Sequence, residues 1–391
     1  MVWSPLLRGN DIFSWQEGML NAYRAESSLL THPEELAQAW LDLQDRADCS
    51  YFLSWGWIGA WLRQIAIGLH PVLVRVWHDE QLVGLAVFVP RDIKRRVAFH
   101  ASALFLHEYP FDHKNMVIEY NGLLAARGHE SAVCAETVRH LLLNFKQYDE
   151  FHFGAIAEGP GLDGVQQAAG NHARFLVNDE STAWQVDLDV LDPGIDAFLA
   201  TLSKNRRTQL RRSLRLYEEQ GPLSLSEAQD TEQALAFFDE LKVLHTQRRQ
   251  LKGEGGAFAN SNWEQFHRAL ITDRFTAGEI QMLRVSNPAM TVGYLYNFVW
   301  RRHVYVLQTG FRTVHDKRDQ PGYVVHALAI VYNRDKGMAV YDLMHGDSLY
   351  KKILCNRSRR LFWAVIQRRQ LKFDLETLVV GLVRHGRDLM R

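Results

Sequence analysis

The chain lacks the residues that would build a disulfide framework or a metal centre. Its three cysteines, Cys49, Cys134 and Cys355, are scattered over 391 residues. An odd, widely spaced set excludes a disulfide scaffold and a CxxC zinc motif, and it fits a reducing compartment. The 17 histidines include no HExxH pair, and no GxxxxGK[ST] loop occurs, so neither a zincin nor a P-loop is written in the sequence and no metal is expected. An excess of charge is also missing. With 45 basic against 45 acidic residues, no global field favours DNA or an anionic membrane, and any polyanion site must be local. Long apolar runs are absent: FLSWGWIGAWL stops at Arg63 and Gln64, short of the roughly 18 residues a bilayer span requires. The start, MVWSPLLRGNDIF, has no basic region followed by an apolar run of the signal-peptide kind. The expectation is a cytoplasmic protein.

What is present is a globular composition, 47% apolar and 23% charged, in a chain too long for one ordinary core and comfortable for two. Hydrophobic period predicts helices over 33–46 and 55–67, then two strands in VLVRVWHDE and QLVGLAVFVP joined by an acidic turn. RRVAFHASALFL and NMVIEYNGLLA read as further strands, followed by a helix over 129–145 and the strand EFHFGAIA. The second half repeats this order. Helices over 204–220, 231–250 and 261–276 precede the strands IQMLRVS, TVGYLYNFVW and HVYVLQTGF, a helix over 322–336, and the strand MAVYDLM. Aligning the two hairpins places Val83-Gly84 on Val292-Gly293, which points to a duplication. A turn at Pro193-Gly194, inside DVLDPGIDAF, marks a boundary near 190–197. The fold class is α+β, with domains expected at 1–192 and 193–391.

Three segments of the second half resemble the FemAB-like, or BioF2-like (CelD-like), branch of the GNAT acyltransferase superfamily. They are the basic helix LSKNRRTQLRRSLRLYEEQG, the stretch LKVLHTQRRQLKGEGGAF, and PGYVVHALAIVYNRDKGMAVYDLMHGDSLYKK. The family's helix-opening Pro-Gly falls on Pro321-Gly322, its acidic strand end on Asp342, its glycine on Gly346 and its Tyr-Lys pair on Tyr350-Lys351. The resemblance implies two tandem GNAT-like domains, each a mixed sheet flanked by helices. It also implies N-acylation: transfer of an acetyl or longer acyl group from acyl-CoA, or from an acyl carrier protein, to an amino group of a small molecule or peptide. An aminoacyl-tRNA-dependent ligase and a non-catalytic binding module are the alternatives. The N-terminal domain would be the acceptor side with a degenerate donor site.

The same resemblance distributes roles. The donor's phosphates would meet the helix start at Gly322, Tyr323 and Val324, with Lys317, Arg318 and Arg211 adding charge. The segment has one glycine where a GNAT loop usually has two. Tyr350 would protonate the leaving thiolate, Lys351 would steady an oxyanion, and His245, Asp342 or His345 would take the amine's proton. Glu119, Tyr120 and Asn121, three polar groups beside a strand-like run, are candidates for the acceptor pocket. Arg207, Arg211 and Arg215 make a cationic helix face. Trp55, Trp57 and Trp61, near helical spacing, read as core or as the wall of an acyl tunnel.

Overall fold

The computed structural model describes residues 23–64, 69–95, 99–108, 118–253, 255–314, 316 and 318–388. In the first half, strand β1 (Tyr23–Leu29) precedes helices α1 (Ala37–Asp45) and α2 (Trp55–Gln64). The meander β2 (Val72–His78), β3 (Gln81–Lys94) and β4 (His100–Leu106) follows. Then come β5 (Leu124–Ala125), α3 (Glu130–Asn144), β6 (Glu150–Ala157), α4 (Pro160–Ala169) and β7 (Ala173–Asp187). The second half begins with α5 (Ile195–Thr201), α6 (Lys204–Glu218), β8 (Ser224–Glu227), α7 (Thr231–Gln250) and α8 (Ser261–Arg274). It continues through β9 (Ile280–Asn287), β10 (Met290–Trp300), β11 (His303–Phe311), α9 (Pro321–Asp335), β12 (Val340–His345) and α10 (Leu349–Leu354). The chain closes with β13 (Arg357–Arg368) and α11 (Leu371–Asp388).

Local chemistry accounts for the helix starts. Asp230 caps α7 by accepting the N–H of Gln233, and Asn260 caps α8 by accepting those of Asn262 and Trp263. Pro321 opens α9, where its missing N–H costs nothing. Among the described residues the periodic segments become the elements expected of them, with one exception; residues 65–67 of the second expected helix and 96–98 of RRVAFHASALFL lie outside the described residues. Of NMVIEYNGLLA, residues 115–117 lie outside the described residues, and only Leu124 and Ala125 form a strand. Tyr120 turns the chain at φ +49°, and Asn121 fills a gap beside β6, bridging to Ile156 and donating to the Leu106 carbonyl.

One mixed sheet runs through both halves in the order β1-β2-β3-β4-β6-β13-β7-β12-β11-β10-β9-β8, with β5 on β3. The last strand, β13, lies between β6 and β7, so the C-terminal segment completes the sheet next to the first half. The halves share a plan. In each, a strand pairs in parallel over three positions with the strand after the crossover helix: Ala103–Phe105 with Glu150–His152, and His303–Tyr305 with Val340–Asp342. In each, the aligned glycine lets that helix approach. A Cβ on Gly84 would lie 2.4 Å from Val133 of α3, and one on Gly293 would lie 3.2 Å from Val325 of α9.

The larger core joins the halves. Tyr51 is fully buried and stacks on Phe298 at 4.4 Å, while Trp57 meets Phe266 edge-on at 5.1 Å. Deleting such a ring leaves a cavity that costs about 3–5 kcal/mol. Tyr51→Ala is expected to lower the unfolding free energy by that amount while both halves still unfold in one transition, followed by far-UV circular dichroism and tryptophan fluorescence. Two separated transitions in the wild type would contradict a shared core.

Candidate active site

Beyond Tyr305 and Asp342 the parallel pairing of β11 and β12 stops. β12 bends there, with Met344 at φ +64° and a register shift against β7 between Asp342 and His345. A cavity of about 300 Å³ lies by this parting, walled by Leu307 and Gln308 of β11, His345 of β12, and His245 of α7. The first half supplies Trp57, Trp61, His107, Ile118 and Glu119.

His245 is buried, with Nδ1 3.2 Å from the Thr309 carbonyl oxygen. A carbonyl only accepts, so Nδ1 carries the proton and Nε2 keeps its lone pair. Nε2 has no partner and lies beneath Gly256, where a Cβ would be 2.7 Å away. Burial pushes the His245 pKa down, and Arg249 and Arg248 add to this. The imidazole is therefore neutral at pH 7 and able to accept a proton.

Asp342 is fully buried and receives four hydrogen bonds. The Tyr120 hydroxyl donates at 2.5 Å, Gln185 Nε2 at 2.8 Å and His303 Nε2 at 3.0 Å to one oxygen, and the Met344 N–H at 2.7 Å to the other. A carboxylate so occupied holds the bend of β12, and the cap of α10 is Ser348 instead. Glu119 accepts the His345 N–H at 2.9 Å and pairs with Nδ1 of the same ring at 2.7 Å. Tyr120 and Glu119 thus reach the second half. Asn121 stays in the first, held by the Leu106 carbonyl, the Gly122 N–H and His107.

Lys351 Nζ donates to the carbonyls of Met344 and His345, and burial lowers its pKa. Tyr350 stacks on His326 at 5.5 Å, and burial pushes its phenol up to about 12, so it stays protonated near neutrality. At the start of α9, the N-cap Gln320 adopts a left-handed conformation and offers no side-chain cap, and a Cβ on Gly322 would lie 3.1 Å from the Phe311 ring. Val324 is buried in the core and Tyr323 is half-buried. Arg318 is paired with Asp316, Arg211 with Asp196, and Lys317 lies outside the described residues. Arg207 caps the end of α5 by donating to the carbonyls of Leu199, Ala200 and Leu202. Of that helix face, Arg215 is exposed.

Sequence reading missed Gln185, His303 and Arg248. Arg248 sits over the Phe311 ring at 5.6 Å, beside the start of α9. Its place three residues after His245 was the available clue, since i and i+3 share a helix face. Gln185 and His303 had none, because their role depends on strand pairing across the sheet.

Residues 204–352 match the model of the acetyltransferase (GNAT) domain. Among solved structures, FemX is similar over 89% of this chain and 98% of its own, with a TM-score of 0.57 at 11% identity. A conserved protein of unknown function from Bacteroides thetaiotaomicron is similar over 88% and 100%, with a TM-score of 0.53 at 9% identity. No curated protein sequence matches the chain. At these identities the likeness concerns the fold.

The His345–Glu119 pair has a measurable signature. Its hydrogen bond to Glu119 raises the His345 pKa, outweighing burial. A raised histidine contributes stability that is fully present below its unfolded value, about 6.5, and is lost as pH rises through the folded value. Histidine NMR titration of Glu119→Gln is expected to show the His345 midpoint falling, and the variant should lack the wild type's loss of stability above about pH 6.5. An unmoved midpoint would remove the pair.

Proposed function

From a chain of the GNAT superfamily, FemAB-like in its tandem fold, we propose an N-acyltransferase that moves an acetyl or longer acyl group from acyl-CoA to an amine of a small molecule or peptide. The carrying observation is the parting of β11 from β12 beside a cavity that holds His245, His345 and Glu119. An extended thioester arm laid in that parting would find backbone groups released from strand pairing, and its carbonyl would come to the cavity. The second domain, 193–391, supplies the donor end. The first turn of α9, whose N-cap Gln320 offers no side-chain cap, carries partial positive charge for phosphate, with Arg248 alongside. The first domain, 1–192, supplies the acceptor wall. Its own equivalent helix start opens α3 with Glu130, whose negative charge disfavours an anion there.

In the step itself the amine nitrogen bonds to the thioester carbonyl carbon and the carbon–sulfur bond breaks. His245 takes the amine's proton at Nε2 once Gly256 gives way, and the Tyr350 phenol protonates the departing thiolate. Asp342 and Lys351 act as positioning groups, because both are occupied in holding the bend of β12. The FemX-like fold keeps a second reading in view, an aminoacyl-tRNA-dependent ligase. Thiol release from acetyl-CoA that survives ribonuclease treatment separates the two.

General-base removal typically costs about 100- to 10,000-fold. His245→Gln is expected to lose turnover on that scale in single-turnover thiol-release assays while retaining CoA binding. With the His245 pKa lowered, the wild-type rate should hold at neutral pH and fall only below about pH 6.5. Gly322→Val, whose Cβ would lie 3.1 Å from the Phe311 ring, should weaken CoA in calorimetry, with the melting temperature read alongside to separate lost binding from a displaced Phe311. Wild-type turnover in His245→Gln would move the base elsewhere, and unchanged CoA affinity in Gly322→Val would sink the donor placement.

A further inference from the structure

Helix α6 carries a charge pattern that works against its own stability. Its first turn holds Lys204, Arg206 and Arg207 with no acidic residue, and its N-cap Ser203 makes no side-chain hydrogen bond. The N-terminal end of a helix carries partial positive charge, so cations there are unfavourable. Arg207, Arg211 and Arg215 then follow at i, i+4 spacing, where like charges repel. Arg207 and Arg211 have local partners, the α5 carbonyls and Asp196. Lys204 and Arg215 are exposed and pair with no acidic side chain among the described residues. Arg212 is exposed too, and the charge it acts on, Asp316, is already paired with Arg318.

The helix stands beside the donor end proposed above. Ser213 Oγ donates to the Arg318 carbonyl at 2.6 Å, which ties α6 to the loop entering α9. Burial raises the Tyr323 pKa and the Arg206 charge opposes the rise, so that charge reaches the first turn of α9. From Lys204 to Arg215 the cations extend over about 16 Å, at ~1.5 Å per residue. A single phosphate pairs with one or two arginines, so the 3′-phosphate of free CoA leaves most of this face unanswered. An acidic protein surface matches its length. A polynucleotide matches it less well. Glu218 and Glu219 stand exposed at the end of the stripe, and the one aromatic residue of the helix, Tyr217, is buried and offers no ring to a base.

We propose that α6 docks an acidic acyl carrier protein, which presents its acyl-phosphopantetheine thioester to the parting of β11 and β12 where free acyl-CoA would lie. This rests on the acyl-transfer reading above. The amine nitrogen gains the acyl carbon and the carbon–sulfur bond breaks. The amine's proton goes to His245, and the thiolate, protonated by Tyr350, stays on the carrier's arm.

The test reads docking without the arm. Its probe is the apo form of a bacterial fatty-acid acyl carrier protein, titrated against the full-length protein by fluorescence anisotropy in rising sodium chloride. Saturable binding that weakens with salt is expected, since salt screens exposed charges. Lys204→Glu combined with Arg215→Glu should weaken it at least about tenfold, because like charges brought together repel. Lys204→Gln combined with Arg215→Gln should weaken it less, with the attraction merely lost. Both double variants should keep the wild-type melting temperature and the wild-type thiol release from acetyl-CoA, since removing cations from the stripe relieves repulsion within the helix. Absence of apo carrier binding, wild-type affinity in both variants, or tighter binding of a tRNA acceptor-stem hairpin than of the carrier would each overturn the proposal. Thiol release from acetyl-CoA without carrier binding defeats this inference alone. Carrier binding without thiol release from either acetyl-CoA or the acetylated carrier leaves the docking surface assigned and defeats the acyl-transfer reading.

Discussion

A carboxylate sealed from water must receive its hydrogen bonds from the fold, and Asp342 receives them from both halves of this protein. Tyr120 comes from a loop of the first half, Gln185 from β7, His303 from β11, and the Met344 N–H from the strand that carries the carboxylate. Removing one partner of a buried charge is strongly destabilising, because the charge is left uncompensated. The cluster therefore fixes three strands and a loop against one another. It sets where β12 bends and so where His345 and Lys351 stand.

The bend and the cavity follow from one departure from regular pairing. If β11 and β12 stayed paired to their ends, no cleft would form between them and the backbone groups beyond Tyr305 would be spent on the ladder. Pairing stops after three positions, and the space beyond is bordered by a neutral histidine, an ion pair and aromatic rings. The first half makes the same three-position contact, and beyond it Asn121 bridges to Ile156 at the edge of a second cavity of about 480 Å³. One architecture thus serves twice, with a cavity beside the parting in each half.

The aromatic core makes this economical. Tyr51, Phe52 and Trp57 pack on Phe298 and Phe266 across the halves, and two of these rings, Trp57 and Phe266, also wall the cavity. Trp57 and Trp61, near helical spacing on α2, belong to both, which is why neither "core" nor "pocket" alone describes them.

Much was legible in the order of residues. Period located the helices of the second half and its three central strands, because an amphipathic face is a local property. The Pro321-Gly322 start and the 350–351 pair were nameable because they match a family's motif, and His245 because an imidazole titrates near neutral pH. What the sequence by itself determined is the repeated order of elements and the residue types available for acyl transfer. Tertiary structure decided which of them meet. It placed β13 beside β6, made Asp342 a clamp with side-chain partners 39 to 222 residues away, turned Tyr120 out of an expected strand, and spent Arg207 on the carbonyls that end α5. Those outcomes depend on contacts between segments distant in the chain, and hydrophobic period carries no information about them.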